Sequence, residues 1–84
     1  MQILFEVKAF EEYNEWARAD KKIFQRISKL IMEIRRNPFS GTGKPEPLKH
    51  ELSGCWSRRI DDVNRLVYVI EDDVLRIISC KNHY

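Results

Sequence analysis

One stretch constrains this chain more than any other. Between Asp20 and Pro38, apolar residues return at Ile23, Ile27, Leu30, Ile31 and Ile34, the spacing that lines one face of a helix. Asp20 suits the N-cap, because its carboxylate accepts from backbone N–H groups that a first helical turn leaves without partners. Asn37-Pro38 closes the stretch, since proline disfavours helical backbone at the residue before it. A helix with one apolar face must bury that face, so the rest of the chain has to provide a surface for it. A length of 84 residues allows one core of that kind and predicts a single domain over residues 1–84.

The flanking segments provide the surface. Residues 2–7 alternate, with Ile3, Phe5 and Val7 on one side, and predict a strand. A first helix is predicted over about residues 9–18, with Phe10, Tyr13 and Ala17 on one face and Trp16 beside them. Residues 38–47 predict a loop, broken by Gly41, Gly43, Pro45 and Pro47. Three strand-like runs follow at 55–60, 65–71 and 74–81, with turns at Asp61 to Asn64 and at Asp72-Asp73. The order βααβββ describes an α+β fold, a helical hairpin packed on a small, mainly antiparallel sheet. Leu66 to Ile70 is apolar without alternation. It predicts a central strand, covered by the helices on one face and partly covered on the other.

Composition narrows the function. Hydrophobic residues make up 43% and charged residues 33%, a balance that folds rather than staying disordered. No apolar run reaches the ~20 residues of a membrane helix. The apolar start is interrupted by Glu6 and Lys8, so no signal peptide is expected and the cytoplasm is the expected location. Cys55 and Cys80 lack a CxxC spacing and read as reduced thiols packed like small hydrophobes. His50, Cys55, Cys80 and His83 show no metal-ligand spacing, and neither a metal nor a cofactor is expected. The net charge is +2, but residues 35–60 carry six Lys/Arg against two Asp/Glu, as a surface for a polyanion would.

The remaining polar residues match metal-free RNA cleavage. That reaction must deprotonate a 2′-hydroxyl, neutralise a phosphate gaining charge, and protonate a departing 5′-oxygen. Glu46 lies between Pro45 and Pro47, whose fixed φ angles stiffen the backbone that carries it. Lys49, Arg59 and Arg65 bring positive charge, and arginine favours forked contacts to phosphate. His83 is a proton donor suited to neutral pH, and the ring of Tyr84 can stack on a base. Each also has a plainer reading: a solvated carboxylate, a strand in which one of Arg58 and Arg59 faces water, a frayed end. General binding of RNA or of an acidic protein fits the residues as well.

The combination is more specific than its parts. Gly43-Lys-Pro-Glu-Pro-Leu-Lys-His50, Leu52-Ser-Gly54, Trp56-Ser-Arg-Arg-Ile60, Asn64-Arg-Leu-Val-Tyr68 and the closing His83-Tyr84 occur together. The chain so resembles, over essentially its whole length, the YoeB toxins of the RelE/ParE superfamily. Cys55 departs from the pattern, an aromatic residue being commoner there. The resemblance implies a RelE-like fold and a bacterial type II toxin that cuts messenger RNA in the ribosomal A site. It implies Glu46 as general base, Arg65 as stabiliser of the phosphate transition state and His83 as general acid. Lys49 and Arg59 would assist phosphate binding, and Tyr84 would position the RNA. A YefM-like antitoxin and a toxin dimer are the implied partners. Two other readings remain open: a ParE-like gyrase inhibitor without nuclease activity, and a basic RNA-binding module without catalysis.

Overall fold

Asp20 separates two helices and starts the second. In the computed structural model, which describes residues 1–82, helix α1 spans Val7–Ala19 and helix α2 spans Lys21–Arg36. The Asp20 carboxylate accepts from the backbone N–H of Lys22 at 3.0 Å and of Ile23 at 3.2 Å, as the N-cap reading predicts. Helix α2 buries Ile27, Leu30, Ile31 and Ile34, with Ile23 packed partly against the same core. Each such side chain contributes about 1.5–3 kcal/mol of burial free energy, as an upper estimate.

Five strands form one sheet: β1 (Gln2–Phe5), β2 (Glu46–Pro47), β3 (Trp56–Arg59), β4 (Arg65–Glu71) and β5 (Val74–Ser79). Their order is β1-β5-β4-β3-β2, with β1 parallel to β5 and every other pairing antiparallel. The two helices pack on one face, over Leu66 and Tyr68 of β4 and Leu75 and Ile77 of β5. Strand β4 is central and buries Leu66 to Val69, as its unbroken apolar run predicts.

Three local expectations need correction. Residues 38–47 are not all loop: Glu46 pairs with Ser57 and Pro47 with Trp56, adding a two-residue edge strand. Proline is tolerated at that edge because it has no N–H to give a further neighbour. The first strand stops at Phe5, and Val7 opens α1 as an exposed residue, because the Phe10 N–H already bonds to the Glu6 carbonyl. Helix α1 is also turned in part from its expected face, although Tyr13 and Trp16 pack against the core as expected. Ala9 and Glu12 are its buried residues, and Phe10 is exposed.

The reason for that turn lies at the end of β5. Glu12 accepts from the backbone N–H of Cys80 at 2.8 Å, and the Trp16 indole donates to the Cys80 carbonyl at 2.8 Å. Buried backbone groups that leave a sheet need partners, and α1 supplies both of them with polar side chains.

Candidate active site

The sheet face away from the helices is where the sequence-predicted residues meet. Successive residues of a strand point to opposite faces, and cross-strand partners share one. Arg58 pairs with Leu66, a core residue, so Arg58 belongs to the helix side. Its neighbours Ser57 and Arg59 therefore face the other way, together with their partners Glu46 on β2 and Arg65 on β4.

Glu46 and Arg65 form an ion pair at 3.2 Å, with 56% and 24% of their side chains exposed. A pair so open contributes only about 0–1 kcal/mol to stability. Directly across the ladder, Arg59 opposes Arg65. Like charges in that position destabilise a sheet by about 0.2–1 kcal/mol. One carboxylate beside two guanidinium groups, all reachable by solvent, makes a poor stabilising device and a good anion site with a base beside it.

Lys49 is exposed and lies two residues beyond β2, beside a 3-10 turn at His50–Leu52. With Leu48, His50, Glu51 and Leu52 it lines an open hollow of about 460 Å³. The expected acid and stacking residues, His83 and Tyr84, lie outside the described residues. Among the described residues, no three His, Cys, Asp or Glu side chains gather as a metal-binding group.

Strand β4 meets the end of the chain in a register that bears on the site. A strict two-residue turn at Asp72-Asp73 would place Val67 opposite Ile78. The turn does have two residues, both left-handed at φ 49° and 61°, as hairpin turns of the twisted-sheet kind require. Tyr68 pairs with Ile77, however, and Val67 with Ser79, so Ile78 is an extra residue in β5. This bulge shifts everything beyond it by one position relative to β4. The Arg65 N–H then donates to the Asn82 carbonyl at 3.0 Å, and the Asn82 N–H donates to Asn64 Oδ1 at 2.6 Å. The described chain thus ends fastened to the backbone of Arg65.

Arg58, one residue from the site, organises the loop that leads to Glu46. Its side chain is fully buried. Nη1 donates to Glu33 Oε1 at 2.7 Å and to the Thr42 carbonyl at 3.2 Å. Nη2 donates to the carbonyls of Asn37 and Ser40, and Nε to the Tyr68 hydroxyl, which itself donates to the Pro38 carbonyl at 2.6 Å. A loop without a ladder of its own therefore closes around one guanidinium. Gly41 is required there: at φ 116°, an added Cβ would fall 2.1 Å from Glu33 Oε1. The Arg59 N–H then takes the Gly43 carbonyl at 2.7 Å, and Arg26 takes the Arg59 and Ile60 carbonyls from the helix side.

Sequence reasoning gave Arg58 and Arg59 alternating faces, which is what is observed. It did not find the roles of Glu33, Arg26, Glu12 or Asn64, whose partners lie 18 or more positions away. Asn64 stood in a recognised segment, but its type suggested only a turn.

Comparison with known proteins places these features in a family. Residues 5–84 match the family described as YoeB-like toxin of bacterial type II toxin-antitoxin system. Toxin YoeB of Streptomyces coelicolor is 54% identical over 84 residues, all of both chains. A solved YoeB/ParE toxin from Agrobacterium tumefaciens is 38% identical, with a TM-score of 0.98 over the whole of both chains. YoeB of Staphylococcus aureus, solved in a heterotetrameric YoeB-YefM complex, is 45% identical, with a TM-score of 0.91 over 100% of this chain and 98% of that one. The same toxin has also been solved as a dimer, with a TM-score of 0.93 and the same coverage.

Proposed function

The chain belongs to the YoeB toxin family of bacterial type II toxin–antitoxin systems, and from that premise we propose that it is a ribosome-dependent, metal-independent endoribonuclease that cuts messenger RNA in the A site. The observation that carries the reading is the open Glu46–Arg65 pair with Arg59 directly across the ladder from Arg65.

In the proposed reaction, Glu46 takes the proton of a 2′-hydroxyl and the 2′-oxygen attacks the adjacent phosphorus. Charge then builds on the phosphate oxygens, where Arg65 stabilises it and Arg59 and Lys49 assist. The bond to the 5′-oxygen breaks as His83 delivers a proton, and Tyr84 stacks on the RNA. The products are a 2′,3′-cyclic phosphate and a 5′-hydroxyl. Arg65 loses little when it leaves Glu46 for a phosphate, because the exposed pair contributes little on its own.

By analogy with the Staphylococcus aureus protein, a YefM-type antitoxin and a second toxin copy are the proposed partners. The bacterial cytoplasm is the proposed location; no helix among the described residues is long and apolar enough to cross a membrane.

The test uses purified ribosomes programmed with a defined message, with new 5′ ends mapped by primer extension. Glu46→Ala, Arg65→Ala and His83→Ala should each cut about 10²–10⁴-fold more slowly while keeping the wild-type urea midpoint within about 1 M. Three variants that cut at the wild-type rate would remove the assignment. Inhibition of gyrase supercoiling with the message left whole would replace it with the ParE-like reading.

A further inference from the structure

Six of the fifteen Lys and Arg residues lie on one helix. Helix α2 carries Lys21, Lys22, Arg26, Lys29, Arg35 and Arg36 against one acid, Glu33. Helix α1 carries Lys8 and Arg18 against Glu11, Glu12 and Glu15. A hollow of about 290 Å³ lies on α2, walled by Lys22, Gln25, Arg26, Lys29 and Glu33, with Thr42 facing them from the loop.

The acids nearby are already committed. Glu33 accepts from the Thr42 N–H and from Arg58, and the Thr42 hydrogen bonds hold its carboxyl below the usual carboxylate range. Asp61, within electrostatic reach of Arg26, accepts from the N–H groups of Val63 and Asn64. Arg26 is itself held by the Arg59 and Ile60 carbonyls, while Lys22 and Lys29 are exposed. The hollow therefore presents a net positive surface on a fixed frame.

We infer that the α2 hollow is a second RNA contact, which grips the phosphate backbone of structured RNA while the message lies at Glu46 and Arg65. Three observations select this occupant. First, the exposed charged residues of the lining are Lys22 and Lys29, and lysine is depleted in the cores of protein–protein interfaces and well suited to phosphate. Four of the exposed apolar residues, Ile3, Leu4, Val7 and Phe10, cluster instead on β1 and the start of α1, where a protein partner fits better, and Met32, the exposed one on α2, does not line the hollow. Second, no aromatic ring among the described residues lines the hollow to stack an unpaired base, so it reads backbone and not single-stranded sequence. Third, it is tied to the site through the backbone of β3. Arg26 grips the carbonyl of Arg59, whose side chain shares the Glu46 face, and Thr42 precedes the Gly43 that bonds the Arg59 N–H. This inference rests on the ribonuclease reading for the position of the message.

The experiment replaces Lys22→Gln and Lys29→Gln together, leaving Arg26 and Glu33 to hold β3 and the loop. Binding to an RNA hairpin of mixed sequence and to purified ribosomes is measured against salt concentration. Each lost phosphate contact lowers the slope of log K against log salt by about 0.9, so two losses make binding about tenfold less salt-sensitive between about 50 and about 200 mM. At saturating ribosomes the cleavage rate should stay at the wild-type value, and antitoxin affinity should not change. Equal slopes for the two proteins overturn the inference. So does a loss of antitoxin affinity with hairpin binding intact, which reassigns the hollow to a protein. Lysine-dependent hairpin binding by a wild type that leaves the message whole supports the contact and overturns the ribonuclease reading alone.

Discussion

Arg58 offers the sharpest test of how this site is built. Replacing it by methionine keeps much of the volume and removes the guanidinium from the centre of the loop. Breaking a buried ion pair by deleting one partner costs about 3–5 kcal/mol. Glu33, the surviving partner, keeps 27% side-chain exposure, so water takes over part of the lost interaction. The expected loss is therefore near the lower end, about 3 kcal/mol. Against a total of about 4–13 kcal/mol for a chain of this length, that is a large share. Urea unfolding followed by Trp16 and Trp56 fluorescence measures it; with an m-value of about 1–1.5 kcal/mol/M, the midpoint should drop by about 2–3 M. Trp56 is a local reporter as well, because it stacks on Phe39 of the same loop at 4.7 Å between ring centroids. Arg59→Met, one residue along on the exposed face, should change stability by less than about 1 kcal/mol, since it also relieves the opposition to Arg65. The argument is refuted if Arg58→Met stays within about 1 kcal/mol of wild type, or if the two variants lose stability equally.

Two further outcomes follow from titration. The hydrogen bonds from Thr42, then Arg58, lower the Glu33 carboxyl below its ordinary 4.5. At Asp61, burial acts to raise the carboxyl, but the N–H groups of Asn64 and Val63 outweigh it and lower it below 3.8. Because the folded values lie below the unfolded ones, this stability is complete above about pH 4.5 and is lost as pH falls through the depressed values. Urea midpoints should be flat near neutrality and fall at acid pH, and Glu33→Gln should flatten the acid limb; an unchanged limb removes Glu33 from it. For the thiols, burial pushes Cys80 up to about 12 and raises the less buried Cys55 above 9.0. Iodoacetamide on the native protein should therefore label Cys55 well before Cys80, as read by mass spectrometry; equal labelling would contradict the packing around Cys80.

What the sequence made legible was whatever depends on local periodicity. Helix α2, its Asp20 cap, β4 and the place of the turn at Asp72-Asp73 follow from neighbours within a few positions, while the length of that turn does not. Glu46 and Arg65 were singled out as candidates from residue type and spacing, and their meeting at 3.2 Å was not derivable without the sheet order. The bulge at Ile78 has no local signature, because an apolar residue there fits either register. The face of α1 was only partly legible: Tyr13 and Trp16 pack inward, but periodicity counts apolar residues, and Glu12 is buried in place of Phe10 to satisfy the Cys80 N–H. Charge counting divided the chain at residue 34 and so split helix α2, which hid its excess of lysine and arginine.

The parallel pairing of β1 with β5 carries a consequence for synthesis. Gln2 lies against Val74 and Phe5 against Ile77, and Glu12 and Trp16 wait for Cys80. These are contacts of nearly the greatest separation the sequence permits, and such closures come late in folding. On a translating ribosome the early residues emerge first, yet their strand has no neighbour until β5 has cleared the tunnel. Arg65 likewise keeps a free N–H until Asn82 arrives. A nascent chain therefore carries Arg59 and Arg65 on an unclosed sheet, and a cell making such a protein gains an interval in which the polypeptide exists without the assembled face.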